Sequence, residues 1–420
     1  MPENWKTYKL GEVAALRKKT LRPKDFNGEK YIGLEHIGQG DFLLNGIGIA
    51  SDVTSNKFKF KSGDILYGKI RPYFKKVYKP QFSGICSTDI LIIKSSSEEV
   101  VTQEYLYQLI KTQAFTDKAV ETSSGTKMPR ADWNSLEQVE YTFPPLQEQK
   151  SIASILSALD DKIELNLQMN NTLEEMAMAL YKHWFVDFGP FQDGEFVASE
   201  LGEIPKGWEV KKLGELFKLK HGFAFKGKHF QLEERDELLL TPGNFQSSGG
   251  IKFNWGKQKF YSGDFPNDYI LTKGDLVIAL TDLTQSCEIL GAPAIIPDND
   301  YKYLHNQRLG LVTDLSPQFS NEFIYCTANS RDFRSFIRNS KTGSTVSHTS
   351  PTRIYDYKIA LPPQGLEINF MEELKNLLEL TFTNSSENKT LTQLRDTLLP
   401  KLISGEVRVK DAEKTLSEVL

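Results

Sequence analysis

The residues in this 420-residue chain that could do chemistry are basic side chains interleaved with aromatic rings. The stretch YGKIRPYFKKVY carries four cations with Tyr67, Tyr73 and Phe74 between them, and a Ser/Gly-rich loop, SSGTKMPRADW, carries two more. Lys and Arg neutralise phosphates, Arg can also grip a guanine, and loop hydroxyls and amides suit backbone oxygens. The candidate nucleic-acid contacts in this half of the chain are Lys69, Arg71, Lys75, Lys76, Lys127 and Arg130.

The second half of the chain offers a similar set in HGFAFKGKHF, in SRDFRSFIR and around the loop KTGSTVSHTSPTR. The spacing of Arg331, Arg334 and Arg338 places them on one helical face. The alternative for any one of these cations is a solvated basic face without a ligand, and His348 is a lone loop histidine with no assigned role. The candidates are Lys226, Lys228, Lys257, Lys259, Arg331, Arg334, Arg338, Lys341 and Arg353.

Motifs of enzyme catalysis are missing from the sequence. It has no G-x-x-x-x-G-K-[ST] loop for an ATPase, and its two Pro-Pro pairs lack the flanking polar and aromatic residues with which an amino-methyltransferase holds a flipped adenine. The stretch PDNDYK resembles a nuclease motif superficially, but a metal-binding nuclease core needs its carboxylates on separate strands. We therefore expect a turn at Asp298 and Asp300, no metal site and no catalytic residue.

Two long amphipathic stretches must position the basic regions. In each, apolar residues recur at alternating spacings of four and three, which is the pattern of a coiled-coil seam. Pro144 and Pro145 mark the start of the first stretch because proline suits a helix entrance, and the seam from 152 to 184 predicts a helix of about 50 Å. The seam residues are Ile152, Leu156, Leu159, Ile163, Asn166, Asn170, Leu173 and Leu180 in the first stretch, and Phe370, Leu374, Leu377, Asn384, Asn388, Leu391, Leu398 and Leu402 in the second.

The second stretch repeats the first at a distance of 218 positions, so one unit occurs twice. Both copies place two asparagines in the middle of the seam, Asn166 and Asn170 in one and Asn384 and Asn388 in the other. A buried polar pair lowers stability but fixes register, because a slip would place amides against leucines. The alternative is that these asparagines face solvent where the seam loosens.

The regions outside the seams also open alike, with NWKTYKLGEVAAL in one and GWEVKKLGELFKL in the other. Their aligned tryptophan and leucine residues read as packing anchors, and Gly11 and Gly214 as turn glycines. Alternating apolar runs such as GDILYGKI and KGDLVIALTDL predict strands, and QEYLYQLIKTQAF and NEFIYCTANSRDFRSFI predict helical segments. The fold class is therefore α+β or mixed α/β: two similar globular domains joined by two long helices, as an internal repeat.

Charge is divided between these regions. Residues 1–145 hold 21 basic and 17 acidic side chains, and residues 201–363 hold 20 and 18. Residues 146–200 hold 3 basic and 10 acidic side chains, and residues 364–420 hold 7 and 10. This division fits polyanion binding by the globular parts and protein contacts by the helices, although small net charges are common.

Composition bounds the class of protein. The fractions are those of a globular chain, no apolar run is long enough to span a membrane, and the first residues lack the apolar core of a signal peptide, so we expect a cytoplasmic protein. Cys86, Cys287 and Cys326 are isolated from one another and from histidine pairs. They read as reduced packing residues, not disulfides or zinc ligands.

Several motifs together resemble the specificity subunit of a Type I restriction-modification system. They are the opening W-x-x-x-x-L-G-E, GDIL-x-x-x-x-I-R-P, PPLQEQ-x-x-I leading to LD-x-x-I, the exit WFVDF and the close LLPKLISGE. The resemblance covers essentially the whole chain, with PPQGLE in place of a second PPLQEQ as the visible departure. It implies a first target recognition domain at 1–143, a long helix at 144–188, a linker at 189–206, a second target recognition domain at 207–361, a second long helix at 362–404 and a C-terminal tail at 405–420.

The resemblance also implies function and partners. Each domain would read one half of a bipartite, asymmetric site in double-stranded DNA, and the antiparallel helices would set the spacing. The helices would dock two modification (methyltransferase) subunits, with restriction subunits added in the full complex. S-adenosylmethionine, ATP and Mg would bind to those partners, and this chain would bind no cofactor. The alternatives are a stand-alone DNA methyltransferase or nuclease, and a coiled-coil scaffold without a DNA role.

Overall fold

The computed structural model describes residues 4–125, 127–253, 257–284, 286–298, 301–343 and 346–419, with side chains described as far as residue 414. The chain divides into two compact units, and each is described by itself. The first unit comprises Met1–Leu165 with Asn388–Leu420, and the second comprises Asn166–Glu387. Asp300, part of the predicted turn, lies outside the described residues.

Residues 6–143 form the strands and short helices of the first unit. The strands are β1 (Lys6–Lys9), β2 (Ala14–Leu16), β3 (Thr20–Leu21), β4 (Lys30–Ile32), β5 (Gly48–Ile49), β6 (Lys57–Phe60), β7 (Ile65–Gly68), β8 (Val77–Tyr78), β9 (Gly84–Cys86), β10 (Ile90–Ser95) and β11 (Glu140–Phe143). The short helices are α1 (Leu10–Val13), α2 (Gln103–Ile110), α3 (Gln113–Glu121) and α4 (Trp133–Leu136). The first long helix, α5 (Leu146–Phe185), follows and continues into the second unit.

The second unit repeats this order after a short hairpin. Its strands are β12 (Phe196–Ser199), β13 (Gly202–Pro205), β14 (Glu209–Lys212), β15 (Lys218–His221), β16 (Phe230–Gln231), β17 (Glu237–Leu240), β18 (Phe260–Tyr261), β19 (Ile270–Leu271), β20 (Leu276–Ala279), β21 (Thr281–Asp282), β22 (Pro293–Ile295), β23 (Lys302–His305), β24 (Leu309–Thr313), β25 (Ser347–His348) and β26 (Lys358–Leu361). The helices are α6 (Leu213–Leu216), α7 (Asn321–Asn329), α8 (Arg331–Asn339) and α9 (Pro351–Tyr355), followed by α10 (Ile368–Ser404) and α11 (Val409–Val419).

Each unit contains a five-stranded and a four-stranded sheet. In the first unit the strand orders are β3-β6-β9-β4-β5 and β2-β10-β7-β8, and in the second they are β16-β18-β17-β23-β19 and β15-β24-β20-β22. The pairs β4·β9 and β17·β23 are parallel, whereas the pairs within the four-stranded sheets are antiparallel. Strands β1 and β14 pair with β11 and β26 beside these sheets.

The four-stranded sheet is the middle layer of each unit. In β7, Ile65 and Tyr67 face the core formed with the helices, while Leu66 faces the five-stranded sheet. In β20, Leu276 and Ile278 face the helices in the same way, while Val277 and Ala279 face the other core. Because both faces of the middle sheet are buried, its central strands β7 (ILYG) and β20 (LVIA) are continuous apolar runs and not the alternating ones expected from the sequence.

In both units the repeated L-G-E motif forms a short helix, and its glutamate caps the start of that helix. Glu12 accepts a hydrogen bond from the backbone N–H of Lys9 (2.8 Å), and Glu215 accepts one from Lys212 (2.9 Å). The reading of Gly11 and Gly214 as turn glycines was wrong. They lie within α1 and α6, where an added Cβ would approach the Cβ of Glu137 to 2.9 Å and that of Tyr355 to 2.6 Å, so they serve close packing.

Each predicted helical segment after the sheets is two helices separated by one or two residues, the last of which caps the second helix. The hydroxyl of Thr112 accepts a hydrogen bond from the backbone N–H of Phe115, and that of Ser330 accepts one from Phe333. Hydroxyl residues satisfy the free N–H groups at a helix start, so each restarts the chain in a new direction.

The two long helices begin differently. Helix α5 starts at Leu146, directly after the two prolines and two residues later than the predicted boundary at 144, whereas α10 starts at Ile368, six residues later than the predicted boundary at 362. Gly365, in the departing PPQGLE stretch, has φ +101, a conformation outside a helix. Its N–H donates to the carboxylate of Glu367 (2.8 Å) just before the helix begins.

Within each unit the long helices pair along the predicted seam. Arg395 contacts Asp160 and Asn388 contacts Ile163 in the first unit, so the chains run antiparallel there. The seam residues of the first unit are buried: Ile152, Leu156, Leu159, Ile163, Asn388, Leu391, Leu398 and Leu402. In the second unit Asn166, Phe370 and Leu374 are buried, and Asn170, Leu173, Leu180, Leu377 and Asn384 are partly buried.

The asparagines of the seam are hydrogen-bonded, not turned to solvent. Asn384 donates to the side-chain oxygen of Asn170 (2.9 Å), and Asn166 donates to Glu387 (2.7 Å). Asn388 donates to the backbone carbonyl of Ile163 (3.2 Å). The structure thus supports the register reading of these residues over the solvent-facing one.

The predicted linker and tail contain secondary structure. Strands β12 and β13 form a hairpin within 189–206, and α11 lies within 405–420, where its Ala412 is buried in the first unit's core. Phe185 of the WFVDF exit is 5% exposed and packs on Trp208 and Phe370, so this exit belongs to the core. No helix among the described residues is long and apolar enough to cross a membrane. Among the same residues, no cluster of three or more His, Cys, Asp or Glu side chains could hold a metal ion.

Candidate nucleic-acid interface

In the first unit, the fold brings together the two basic stretches singled out in the sequence. Strand β7 ends at Gly68, and the chain then passes through Arg71 (φ 51) and Lys75 (φ 49), which flank a single 3-10 turn. The backbone N–H of Arg71 donates to the carbonyl of Pro129 (2.7 Å), and Ile70 forms a bridge with Arg130. The Ser/Gly loop therefore lies directly against the strand end.

Only some of these cations project from the surface. Lys127 and Arg130 are exposed, and Lys69 donates to the carbonyl of Thr88 (2.8 Å). Lys75 is half-buried with its ammonium 5.7 Å from the ring of Phe42, and burial lowers its pKa. The two loop cations, Lys127 and Arg130, are thus exposed, whereas Lys75 packs against the protein.

Lys76 is a correction to the predicted DNA contacts. Its ammonium donates to the backbone carbonyls of Leu34 and Ile37, the latter at 2.7 Å, and burial lowers its pKa. The side chain thus ties the loop before β5 to the sheet, and it is not available to a ligand in this arrangement. The sequence shows a cation here, but it does not show that two carbonyls lie within its reach.

Both units form the same junction at this end of the four-stranded sheet. We define the junction as the residue after β7 or β20, the turn that joins the two strands β9–β10 or β23–β24, and a bridging loop. In the first unit Lys69 donates its backbone N–H to Asp89 (3.0 Å), and in the second Leu280 donates to Arg308 (2.9 Å). Arg130 bridges the first junction and His348 bridges the second. His348 therefore occupies the place of a basic side chain, a role that its sequence context did not indicate.

The two junctions differ in how their charges are paired. In the first, the carboxylate of Asp89 lies 3.5 Å from the ammonium of Lys69 and 3.8 Å from the guanidinium of Arg130. In the second, the turn is Asn306–Gln307–Arg308, and no carboxylate of the described residues forms an ion pair with Arg308. The same backbone geometry thus presents two cations that share one carboxylate in the first unit, and in the second unit a cation that no described carboxylate pairs with.

A cleft of about 530 Å³ opens beside the second junction. Lys257, Lys259 and Arg308 line it, together with the amides of Asn244 and Gln307, and none of its described lining residues is acidic. A cleft lined by one sign of charge attracts the opposite charge. Of the cations predicted in this unit, Lys257 and Lys259 thus border the same concave surface.

The other predicted cations of the second unit lie elsewhere. Lys226, Lys228, Arg331 and Arg353 are exposed, and Arg338 is partly exposed. Arg334 is a correction: it is 5% exposed, its guanidinium donates to the carbonyl of Glu288, and burial lowers its pKa to about 10. The ammonium of Lys341 lies 2.9 Å from the sulfur of Cys287 and lowers the pKa of that thiol.

Sequence reasoning missed Asn306, Gln307 and Arg308. Gln307 and Arg308 are exposed, and Asn306 is 8% exposed. The available signal was their position: three side chains able to bond base edges stand together between two strand segments, KYLH and LGLVT. They were passed over because a single Arg outside a basic run does not stand out.

Comparison with known proteins decides the family. Residues 2–175 and 205–393 each match the family model described as the Type I restriction modification DNA specificity domain. The chain belongs to this family. It carries two DNA specificity domains, one for each unit, and the recognition made from the sequence motifs is confirmed.

Relatives with assigned names agree with this family membership. The Type I restriction enzyme MjaIX specificity subunit of Methanocaldococcus jannaschii is 31% identical over 315 residues, which cover 74% of this chain and 70% of that protein. The Type I restriction enzyme HindI specificity subunit of Haemophilus influenzae is 26% identical over 493 residues, which cover 96% of this chain and 100% of that protein. This chain is thus similar to DNA specificity subunits over nearly its full length.

A solved structure supports the fold. The crystal structure of a Type I restriction-modification system S subunit from M. genitalium superimposes with a TM-score of 0.59, covering 95% of this chain and 96% of that one. The two chains are 15% identical, so the likeness concerns the fold alone. It confirms the fold class predicted from the sequence.

Proposed function

We propose that this chain is the non-catalytic DNA-recognition subunit of a Type I restriction-modification complex. Each unit reads one half of a bipartite site, and the sequence difference between the units makes the site asymmetric. The observation that carries the proposal is the pair of DNA specificity domains, supported by the basic cleft of the second unit, whose described lining residues include no carboxylate.

The partners supply the chemistry. Two modification subunits bind S-adenosylmethionine and methylate adenine, and restriction subunits bind ATP and Mg in the nuclease form of the complex. The acidic helical regions of this chain dock the modification subunits. Since DNA and these subunits meet in the cytoplasm, we place the complex there.

The long helices act as a spacer in this proposal. A seam of about 50 Å corresponds to roughly one to one and a half turns of B-DNA at about 34 Å per turn. The target is therefore two short blocks separated by bases that are not read. Inserting one helical turn into both α5 and α10 should lengthen the unread gap, and an unchanged gap would show that the helices are not the spacer.

The deciding experiment is a map of methylated adenines. The full chain is expressed with its modification subunits in a host that lacks adenine methylation, and the genome is sequenced with a method that detects the modified base. We expect one asymmetric bipartite motif. Expression of the modification subunits without this chain is the control, and methylation of the same motif in that control would remove the recognition role.

Salt dependence provides a second test. A protein that neutralises phosphates releases counterions, so its affinity for duplex DNA should fall steeply as salt rises. The assembled complex is titrated against duplexes carrying the motif at several salt concentrations. A flat response between low and physiological salt would contradict DNA binding by the basic groups.

A further inference from the structure

The turn between β23 and β24 is built to present two side chains. Asn306, Gln307 and Arg308 link two buried strands of different sheets at the second junction, beside the basic cleft. Gln307 and Arg308 are exposed there, while Asn306 is 8% exposed. Asn306 is therefore buried and fixes the turn, while the side chains of Gln307 and Arg308 project to solvent.

Hydrogen bonds hold this turn in one conformation. The side-chain oxygen of Asn306 accepts from the backbone N–H of Arg308 (3.0 Å). The N–H of Gln307 donates to the carbonyl of Phe223 (3.0 Å), and the N–H of Leu309 donates to Asn306 (2.9 Å). Because these three backbone N–H groups are bonded within the protein, the turn presents the side chains of Gln307 and Arg308 without the ordering cost that a mobile loop would incur on binding.

The chemistry of the tips matches base edges. Arg bonds O6 and N7 of guanine in a bidentate manner, and Gln bonds N6 and N7 of adenine in the same way. Lys257 and Lys259 line the cleft beside the turn as exposed point charges, which suit phosphates. The surface thus combines two side chains that can bond base edges with two lysines that can hold the phosphate backbone of DNA.

We propose that Arg308 and Gln307 are specificity-determining residues of the second unit, with Arg308 reading a guanine and Gln307 an adenine, while Lys257 and Lys259 hold the adjoining phosphates. This assignment rests on the proposed function and deepens it. The first unit presents Ser87, Thr88 and Asp89 at the same place, with Asp89 paired to Lys69 and Arg130. The two units therefore read different bases through the same turn.

The test compares Arg308→Ala and Arg308→Lys with Lys259→Ala, all in the full chain assembled with its modification subunits. Arg308→Ala should relax one guanine position in one half of the methylation motif and weaken binding to the intact motif by about 5- to 150-fold. Arg308→Lys keeps the charge but loses the bidentate geometry, so it should relax the same position with little change in salt dependence. Gln307→Ala should relax an adenine position in the same half.

Lys259→Ala should behave differently. It should weaken binding to the motif and to unrelated duplexes alike, lower the salt slope by about one and leave the motif unchanged. The inference is overturned if Arg308→Ala keeps every base of the motif, if it behaves like Lys259→Ala, or if it alters both halves of the motif. Arg308→Lys decides the matter should the alanine variant not fold.

Failure of the proposed function and failure of the residue assignment would give different results. If the unmodified complex methylates no bipartite motif, the proposed function falls and this assignment falls with it. If the unmodified complex has such a motif and the Arg308 variants leave it intact, only the assignment falls.

Discussion

The two units fill one position in their shared fold with opposite chemistry. In the first unit this position, between α2 and the long helices, holds an ion cluster: Asp160 lies between Lys111 and Arg395, and Gln108 accepts from the ammonium of Lys111 (3.0 Å). The residues 218 positions away in the repeat are Cys326, Asn329, Ala177 and Leu378 in the second unit. Three of these, Cys326, Ala177 and Leu378, belong to that unit's apolar core.

This difference shows that the side chains at this position must match one another, and that they can do so either as paired charges or as an apolar set. Lys111 is fully buried and Arg395 is 2% exposed, and both cations lie over the ring of Phe42, at 4.7 Å and 5.0 Å. Burial lowers the pKa of Lys111 to about 8 even beside a carboxylate. Such a cluster is costly to bury and more costly to leave incomplete, whereas an apolar set is stabilised by packing alone.

The largest expected effect follows from breaking the cluster at its centre. Asp160→Leu leaves the buried Lys111 without its carboxylate and leaves Arg395 with Asp396 alone, so the free energy of unfolding should fall by about 3–5 kcal/mol. The measurement is urea unfolding of the full chain, followed by tryptophan fluorescence. Asp161→Leu, at the exposed neighbouring position, is the control and should change stability by less than about 0.5 kcal/mol.

Replacing the whole cluster sharpens the comparison. A quadruple variant, Gln108→Leu with Lys111→Met, Asp160→Leu and Arg395→Met, also removes the buried Gln108 amide that accepts from Lys111, and so gives the first unit the apolar character of the second at similar volume. Its stability should lie within about 2 kcal/mol of the unmodified chain, because a complete apolar set leaves neither a buried charge nor a buried amide without a partner. A quadruple variant that is less stable than Asp160→Leu alone would contradict the view that completeness decides the outcome.

Much of the architecture could be predicted from the sequence because it rests on periodicity. The seam spacing predicted the first long helix, at 144–188 against the observed Leu146–Phe185, and the pairing of Asn170 with the second helix, since a seam must lie against a partner. The helix break at Thr112 was not predicted, because a hydroxyl residue serves equally in a helix and at its cap until the packing of both sides is known.

The candidate interface was less predictable because it depends on which groups the ends of the basic side chains contact in the folded protein. Lys76 and Arg334 are cations in basic stretches, yet each donates to backbone carbonyls that lie far away in sequence. Conversely, Gln307 and Arg308 stand outside any basic run and project from a rigid turn. Charge type is visible in a sequence, but the neighbours that bind or free a charge come from tertiary contacts.

A smaller effect should appear with pH in the second unit. Burial raises the pKa of Glu174, on α5, to about 7, near Tyr325 and Cys326. The folded state therefore holds a proton that the unfolded state releases near 4.5, so this group's contribution is full below about pH 4.5 and is lost as pH rises through 7. Allowing for its partial exposure, the loss is on the order of 1–2 kcal/mol.

The variant Glu174→Gln should remove this pH dependence. It should match the unmodified chain at pH 4.5 and exceed its unfolding midpoint at pH 8, because the amide stays neutral throughout. The exposed neighbour Glu175→Gln is the matched control, and thermal unfolding across this pH range is the measurement. A constant difference between Glu174→Gln and the unmodified chain at all pH values would show that Glu174 does not hold the proton.

The smallest effect concerns the asparagines that the two units place in the seam. Asn170→Leu removes the acceptor of Asn384 and should lower stability by about 1 kcal/mol, whereas replacing both with Leu should restore it, because no amide is then left unpaired. The double variant should nonetheless specify register less well, seen as oligomers in analytical ultracentrifugation and as a methylation motif of mixed spacing. If it stays uniform in both measurements, the register of the long helices must be set elsewhere. The other polar contacts across the seam, of Asn166 with Glu387, Asn388 with Ile163 and Asp160 with Arg395, are then the ones that could set it, and a slip at Asp160 would separate charges that the apolar position of the second unit does not contain.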